Sequence, residues 1–228
     1  PRRFGKSLLI STMEAYFSGK KELFEGLALE QLETEWKSYP VLHLDLNVDA
    51  YNTPDSLDHV LNEMLSQWET IYGSNPNEVT LALRFKGIIR RAFEQTGEQV
   101  VVLVDEYDKP LLSTIDHKEL HDAYRDTLKG FFGVLKSQDP YIRFAFLTGV
   151  SRFSHVSIFS DLNNLEDISM DREYAAICGI SEDELQTYFG GSIEVFAQAN
   201  GMSYDETCHT LKQQYDGYHF SKQGIGVY

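Results

Sequence analysis

Apolar residues at positions 8, 9, 10, 13, 16 and 17 recur at helical spacing, which predicts a helix over residues 5–17. Residues 41–48 (VLHLDLNV) largely alternate apolar and polar side chains, as a strand does. Two helices are predicted at 55–73 and 78–95, with Asp55 and Asn77 as caps and Gly73 and Gly97 as stops. Val100–Val104 form an unbroken β-branched run that ends in Asp105 and Glu106, a pattern suited to a strand buried on both faces. Residues 117–137 read as a further helix, 141–149 as a strand and 165–170 as a short strand. From Ser181 the pattern turns helical. Ser181 with Glu184, and Ser203 with Glu206, form two capping boxes. Strands separated by helical segments predict an α/β fold with a parallel sheet flanked by helices. We expect a core over residues 1–171 and a small helical lid over 172–228.

Composition narrows what this fold can do. Hydrophobic residues make up 42% of the 228 positions, enough for a core without staples. No apolar stretch approaches the ~18–20 residues of a membrane helix. Thirty-five acidic against 20 basic residues give a net charge of -15, which argues against a broad nucleic-acid footprint. Two cysteines, Cys178 and Cys208, cannot build a disulfide framework or a four-ligand zinc site, and they read as reduced thiols of a cytoplasmic protein.

The chemistry concentrates in three places. Gly5-Lys6-Ser7 supply the last three positions of a phosphate-binding loop, G-x-x-x-x-G-K-[ST], just where the first helix begins. Its first glycine would precede Pro1, so the strand leading into the loop is expected upstream of this sequence. In such a loop the backbone amides face the anion, Lys6 reaches the β- and γ-phosphates, and the Ser7 hydroxyl ligates Mg²⁺. Alone, G-K-S also fits a glycine turn ahead of a helix cap. The strand ending in Asp105-Glu106 supplies the companion: Asp105 to hold the metal, Glu106 to act as general base on water. The strand Phe144–Leu147 ends in Thr148, placed to lie near a γ-phosphate, and Arg152 could neutralise phosphate charge or stand as a surface arginine.

PRRFGKSLL, VVLVDEYDKPLL, FLTGVSRFSHVSIFSDLNNLEDISMD and YDGYHF together resemble the AAA-ATPase-like family of bacterial P-loop NTPases. The resemblance runs over essentially the whole chain. It implies an ATP-binding P-loop core in which Gly5, Lys6 and Ser7 match the phosphate loop. Asp105 and Glu106 match the Mg²⁺-binding and water-activating acids, and Thr148 and Arg152 match the segment after the next strand. It further implies ATP and Mg²⁺ as cofactors. Family members often carry a C-terminal domain similar to PD-(D/E)xK nucleases, so an effector or nuclease-like domain is an expected partner. The family's phosphate loop often begins with arginine where the first glycine is expected.

Other features carry less. His117 and His121, four apart, could hold a metal or form an exposed helix face. Tyr215–Phe220 could stack a base or pack as a tight turn. Arg84, Lys86, Arg90 and Arg91 could contact a partner or form a solvated face. The expected function is a Mg²⁺-dependent ATPase or ATP-driven switch acting on an attached effector, alone or as an oligomer. The competing expectation is a non-hydrolysing scaffold with a degenerate loop, and ATP is not distinguished from GTP.

Overall fold

The all-apolar run Val100–Val104 becomes the central strand of the molecule. It lies in β2 (Val100–Asp105), all six of whose residues are buried. β2 pairs in parallel on one side with β1 (Val41–Asp45) and on the other with β3 (Ile142–Leu147), giving a three-stranded parallel sheet in the order β1-β2-β3. The computed structural model describes residues 4–150, 158–159, 162–215, 218–219 and 226–227. The chain divides into two compact units, one of residues 10–165 and one of residues 1–9 with 166–228.

In the 10–165 unit, helices cover both sheet faces, which is why β2 shows no polar alternation. Leu42, Leu44, Val100, Val102 and Val104 face α3 (Ser56–Tyr72), α4 (Leu81–Thr96) and α6 (Lys118–Phe132) in the larger core. Val101 and Leu103 face the other way, against Ile10, Met13 and Phe17 of α1 (Lys6–Phe17). Phe17 stacks on Phe144 of β3 with centroids 5.3 Å apart. Shorter elements that the pattern does not announce are α2 (Ala28–Leu32), α5 (Lys109–Ser113) and a 3₁₀ turn at Lys21–Phe24.

Several boundaries differ from expectation. α4 is capped by Thr80, whose Oγ1 accepts the Leu83 amide at 3.2 Å, and not by Asn77. The Asn77 amide instead donates to Asn75 Oδ1 in a local turn. Asp55 takes the position ahead of α3 but makes no side-chain cap bond. The helix predicted over 117–137 is interrupted at Gly133, after which α7 (Val134–Ser137) follows. Residues 165–170 are not a strand. There the Ser169 amide donates to Asp167 Oδ1 and the Asp171 amide to Ile168 O, so the backbone bonds to its own turn rather than to a ladder.

The other unit contains α8 (Glu182–Asn200) and α9 (Tyr204–Tyr215). The Ser181–Glu184 capping box opens α8, and Gly201 ends it in the left-handed conformation. α8 is 19 residues long. The Ser203–Glu206 pair forms the same reciprocal bonds ahead of α9. Two-residue strands β4 (Tyr218–His219) and β5 (Gly226–Val227) pair antiparallel. Among the described residues, no helix is long and apolar enough to cross a membrane.

The basic cluster on α4 is largely consumed inside the fold. Arg84 binds both carboxylate oxygens of Glu69 at 2.8 Å and also bonds Asn62 and Ser66. Arg91 is bidentate to Glu78, and Arg90 bonds Gln138 and lies over the Tyr141 ring. The Arg84 hydrogen bonds hold the Glu69 carboxyl below its ordinary value. A depressed folded-state value means stability that is present above the unfolded-state value and lost as pH falls through the folded one. Glu69→Gln should therefore lose less stability than the parent between about pH 5 and pH 3. Urea midpoints measured across that range check this, and identical acid limbs would refute it.

Candidate functional site

The three parallel strands deliver their last residues to one edge, where open α/β sheets place ligands. β1 ends in Asp45 and β2 in Asp105, and the two are direct partners in the parallel register. β3 ends at Leu147, and Thr148 follows at once. Asp105 is buried at 4% exposure, and its Oδ1 accepts the Thr148 hydroxyl at 2.5 Å. The same hydroxyl oxygen receives the Glu106 amide at 3.4 Å. Thr148 is also tied through its backbone: its amide donates to Val104 O at 2.8 Å, and its carbonyl accepts the Tyr107 amide at 2.9 Å. The structure thus brings Asp105, Glu106 and Thr148 into one bonded group.

Glu106 sits at φ +51, a left-handed conformation uncommon outside glycine and asparagine. Such backbone strain persists only where the surroundings over-determine it. Here Thr148 Oγ1 takes the Glu106 amide, and Glu106 O accepts the Lys109 amide at 2.9 Å. The chain therefore turns sharply at the end of β2 and leaves the Glu106 side chain partly exposed while Asp105 and Tyr107 stay buried.

Gly5, Lys6 and Ser7 belong to the other unit. Gly5 adopts φ +80, and a Cβ there would meet no atom within 4 Å, so conformation is what this position asks of glycine. Its carbonyl accepts the Leu9 amide at 2.8 Å, the first bond of α1. The Phe4 carbonyl just before it accepts the Gly179 amide at 2.9 Å. The first turn of α1 carries no acidic residue of its own to offset the positive end of the helix dipole. Ser7 is exposed and Lys6 half-buried.

Arg152 lies outside the described residues, as do Asp216, Gly217 and Phe220 of the aromatic loop. His121 Nδ1 donates to Leu111 O at 3.1 Å, which gives that histidine a structural partner. Two residues of this edge were not picked out by sequence reasoning. Asp45 ends a strand in the same register as Asp105, a signal visible only once the pairing is known. Asp108 is completely buried, and its Oδ2 accepts the Val150 amide at 2.8 Å.

A family model described as "Predicted AAA-ATPase" matches residues 1–159. The chain belongs to this family. The AAA-ATPase-like match takes in the whole of the phosphate-loop, β2 and β3 segments described above. An uncharacterised protein of Azotobacter chroococcum mcd 1, described by its position in the vnfD 5' region, is 37% identical over 228 residues. The match covers 99% of this chain and 42% of that protein, so the chain spans less than half of the relative's length. No solved structure matches the chain.

Proposed function

We propose that this chain is a P-loop ATPase domain that binds ATP with Mg²⁺ and hydrolyses it, switching an effector carried elsewhere in the full-length protein. The observation that carries the reading is the Asp105–Glu106–Thr148 group at the exit of a fully buried parallel strand, in a chain of an ATPase-like family. The donor chemistry suits a hard cation. Asp105 offers only oxygen, as does Ser7, its companion by motif alone, and Mg²⁺ takes one or two protein oxygens while keeping phosphate and water. Thr148 occupies Oδ1 of Asp105 and leaves Oδ2 for the ion or its water. When bound, the ion neutralises charge on the phosphate oxygens.

The residues' own roles follow from their chemistry. Gly5 and the first amides of α1 receive phosphate oxygens, and the Lys6 ammonium adds a full positive charge beside them. Glu106 accepts a proton from water as the water oxygen bonds the γ-phosphorus and the bond from that phosphorus to the β–γ bridging oxygen breaks. Thr148 fixes the rotamer of Asp105 and the amide of Glu106 together, so both acids are set before substrate arrives.

Calorimetry on the full-length protein tests the reading. Mg²⁺-ATP should bind, and Lys6→Ala should weaken binding roughly 10- to 150-fold, the worth of one charge-assisted contact. Absence of any nucleotide binding would reject it. Binding without phosphate release would assign the chain to a scaffold that reads nucleotide and does not consume it.

A further inference from the structure

We propose that Asp108 is a positioning residue for turnover: it clamps the loop after β3 onto the turn after β2 and thereby sets Thr148 against Asp105 and Glu106. The inference rests on the ATPase reading above and adds a residue to its machinery.

Three observations converge on it. First, Asp108 occupies the position ahead of α5, where an aspartate ordinarily caps the helix, yet its side chain makes no cap bond. Its Oδ2 reaches across the sheet edge to the Val150 amide, 42 residues on, at 2.8 Å. Second, Asp108 is fully buried, and burying a carboxylate is costly unless it serves a hydrogen-bonding purpose. Third, the loop lies directly on this carboxylate. A Cβ built on Gly149 would come within 2.6 Å of Tyr107 Cε1 and 2.9 Å of Asp108 Oδ1. Only glycine lets the backbone approach so closely.

The bonds around Thr148 show what the clamp accomplishes. On one side Thr148 is fixed by Val104 O and by the Tyr107 amide, which extend the parallel ladder past the end of the strands. On the other side Asp108 holds the amide of Val150, just past Gly149. Between these anchors the Thr148 hydroxyl meets both Asp105 Oδ1 and the Glu106 amide. Tyr107 closes the stack edge-on against Phe159, 4.9 Å between centroids. Asp108 touches no reacting atom in this scheme. It acts through Thr148, and a displacement of that hydroxyl by about 1 Å would be enough to lower turnover by roughly 100-fold.

The test is steady-state ATP hydrolysis and nucleotide binding by the full-length protein, with melting curves on each variant. Asp108→Ala is expected to lower kcat about 10- to 100-fold while the nucleotide Kd stays within about three-fold, because Lys6 and Ser7 are untouched. Asp108→Asn keeps an oxygen that can accept the Val150 amide, and it should hold kcat within about three-fold of the parent. In a Thr148→Val background the Asp108→Ala loss should largely disappear, since a residue that works through Thr148 has nothing left to position. A purely structural role predicts full additivity and a fall in binding that tracks the fall in stability, and that pattern would overturn the proposal. An active parent with a folded, fully active Asp108→Ala would overturn it alone. A parent that binds no nucleotide would overturn the ATPase reading and this inference with it.

Discussion

Glu106→Gln is expected to reduce ATP turnover by about 10²–10⁴-fold with little change in nucleotide affinity, the loss typical of removing a positioned general base. The substitution is nearly isosteric. It keeps the main-chain amide that donates to Thr148 Oγ1 and the carbonyl that accepts the Lys109 amide. What it removes is the carboxylate proposed to take the proton from water. The backbone strain at φ +51 falls equally on glutamate and glutamine, so stability should be almost unaffected. That separation matters, because a loss of activity without a loss of fold or of binding is the signature of a group used only in the transition state. Phosphate release measured beside calorimetry and a thermal melt checks all three quantities on one preparation. Unchanged turnover would assign the base elsewhere, and Asp45, the register partner of Asp105, would then be the residue to test.

The strand and the residues that end it in the candidate site are legible in the sequence, for reasons that differ by element. The β2 run is uniformly β-branched and apolar, so its burial between two helical layers needs no knowledge of its neighbours. Asp105 and Glu106 follow as the first polar residues after it. Gly5-Lys6-Ser7 lies at the start of a helix whose period is legible by itself. Asp108 was not legible, because its partner is a backbone amide 42 residues away, and backbone amides carry no residue-type signal. Asp45 needed the register, since pairing by one residue more or less would put it on the opposite face. The strand read at 165–170 failed for a local reason: Asp167 offers its own side chain to the backbone and makes the turn cheaper than a ladder. The α4 basic cluster also changed meaning, because the acids that neutralise it come from α3 and from the loop ahead of α4.

Phe131→Ala should be the most damaging single truncation in the 10–165 unit, at about 3–5 kcal/mol. Phe131 is 2% exposed at the end of α6 and lies in a column of rings. It stacks on Phe85 of α4 with centroids 4.6 Å apart and planes 6° from parallel, and Phe85 in turn stacks on Trp68 of α3 at 5.9 Å. Phe132 meets Phe131 edge-on at 5.5 Å. One truncation therefore opens a cavity between α6 and α4 and removes the ring on which the Phe85–Trp68 stack rests. For a chain of this size the loss corresponds to a melting temperature lower by roughly 6–20 °C. Phe189→Ala is the control, because Phe189 is 44% exposed on α8 and its truncation should cost no more than about 0.5 kcal/mol. A shift below about 1 kcal/mol for Phe131→Ala would mean that the ring column bears little of the packing. A large shift has a functional consequence as well. The helices joined by the column are the ones packed on Val100, Val102 and Val104, and that strand carries Asp105 and the turn at Glu106. Loosening the column should then lower turnover at temperatures still below the melting transition, since the acids keep their chemistry but lose the rigid strand that aims them.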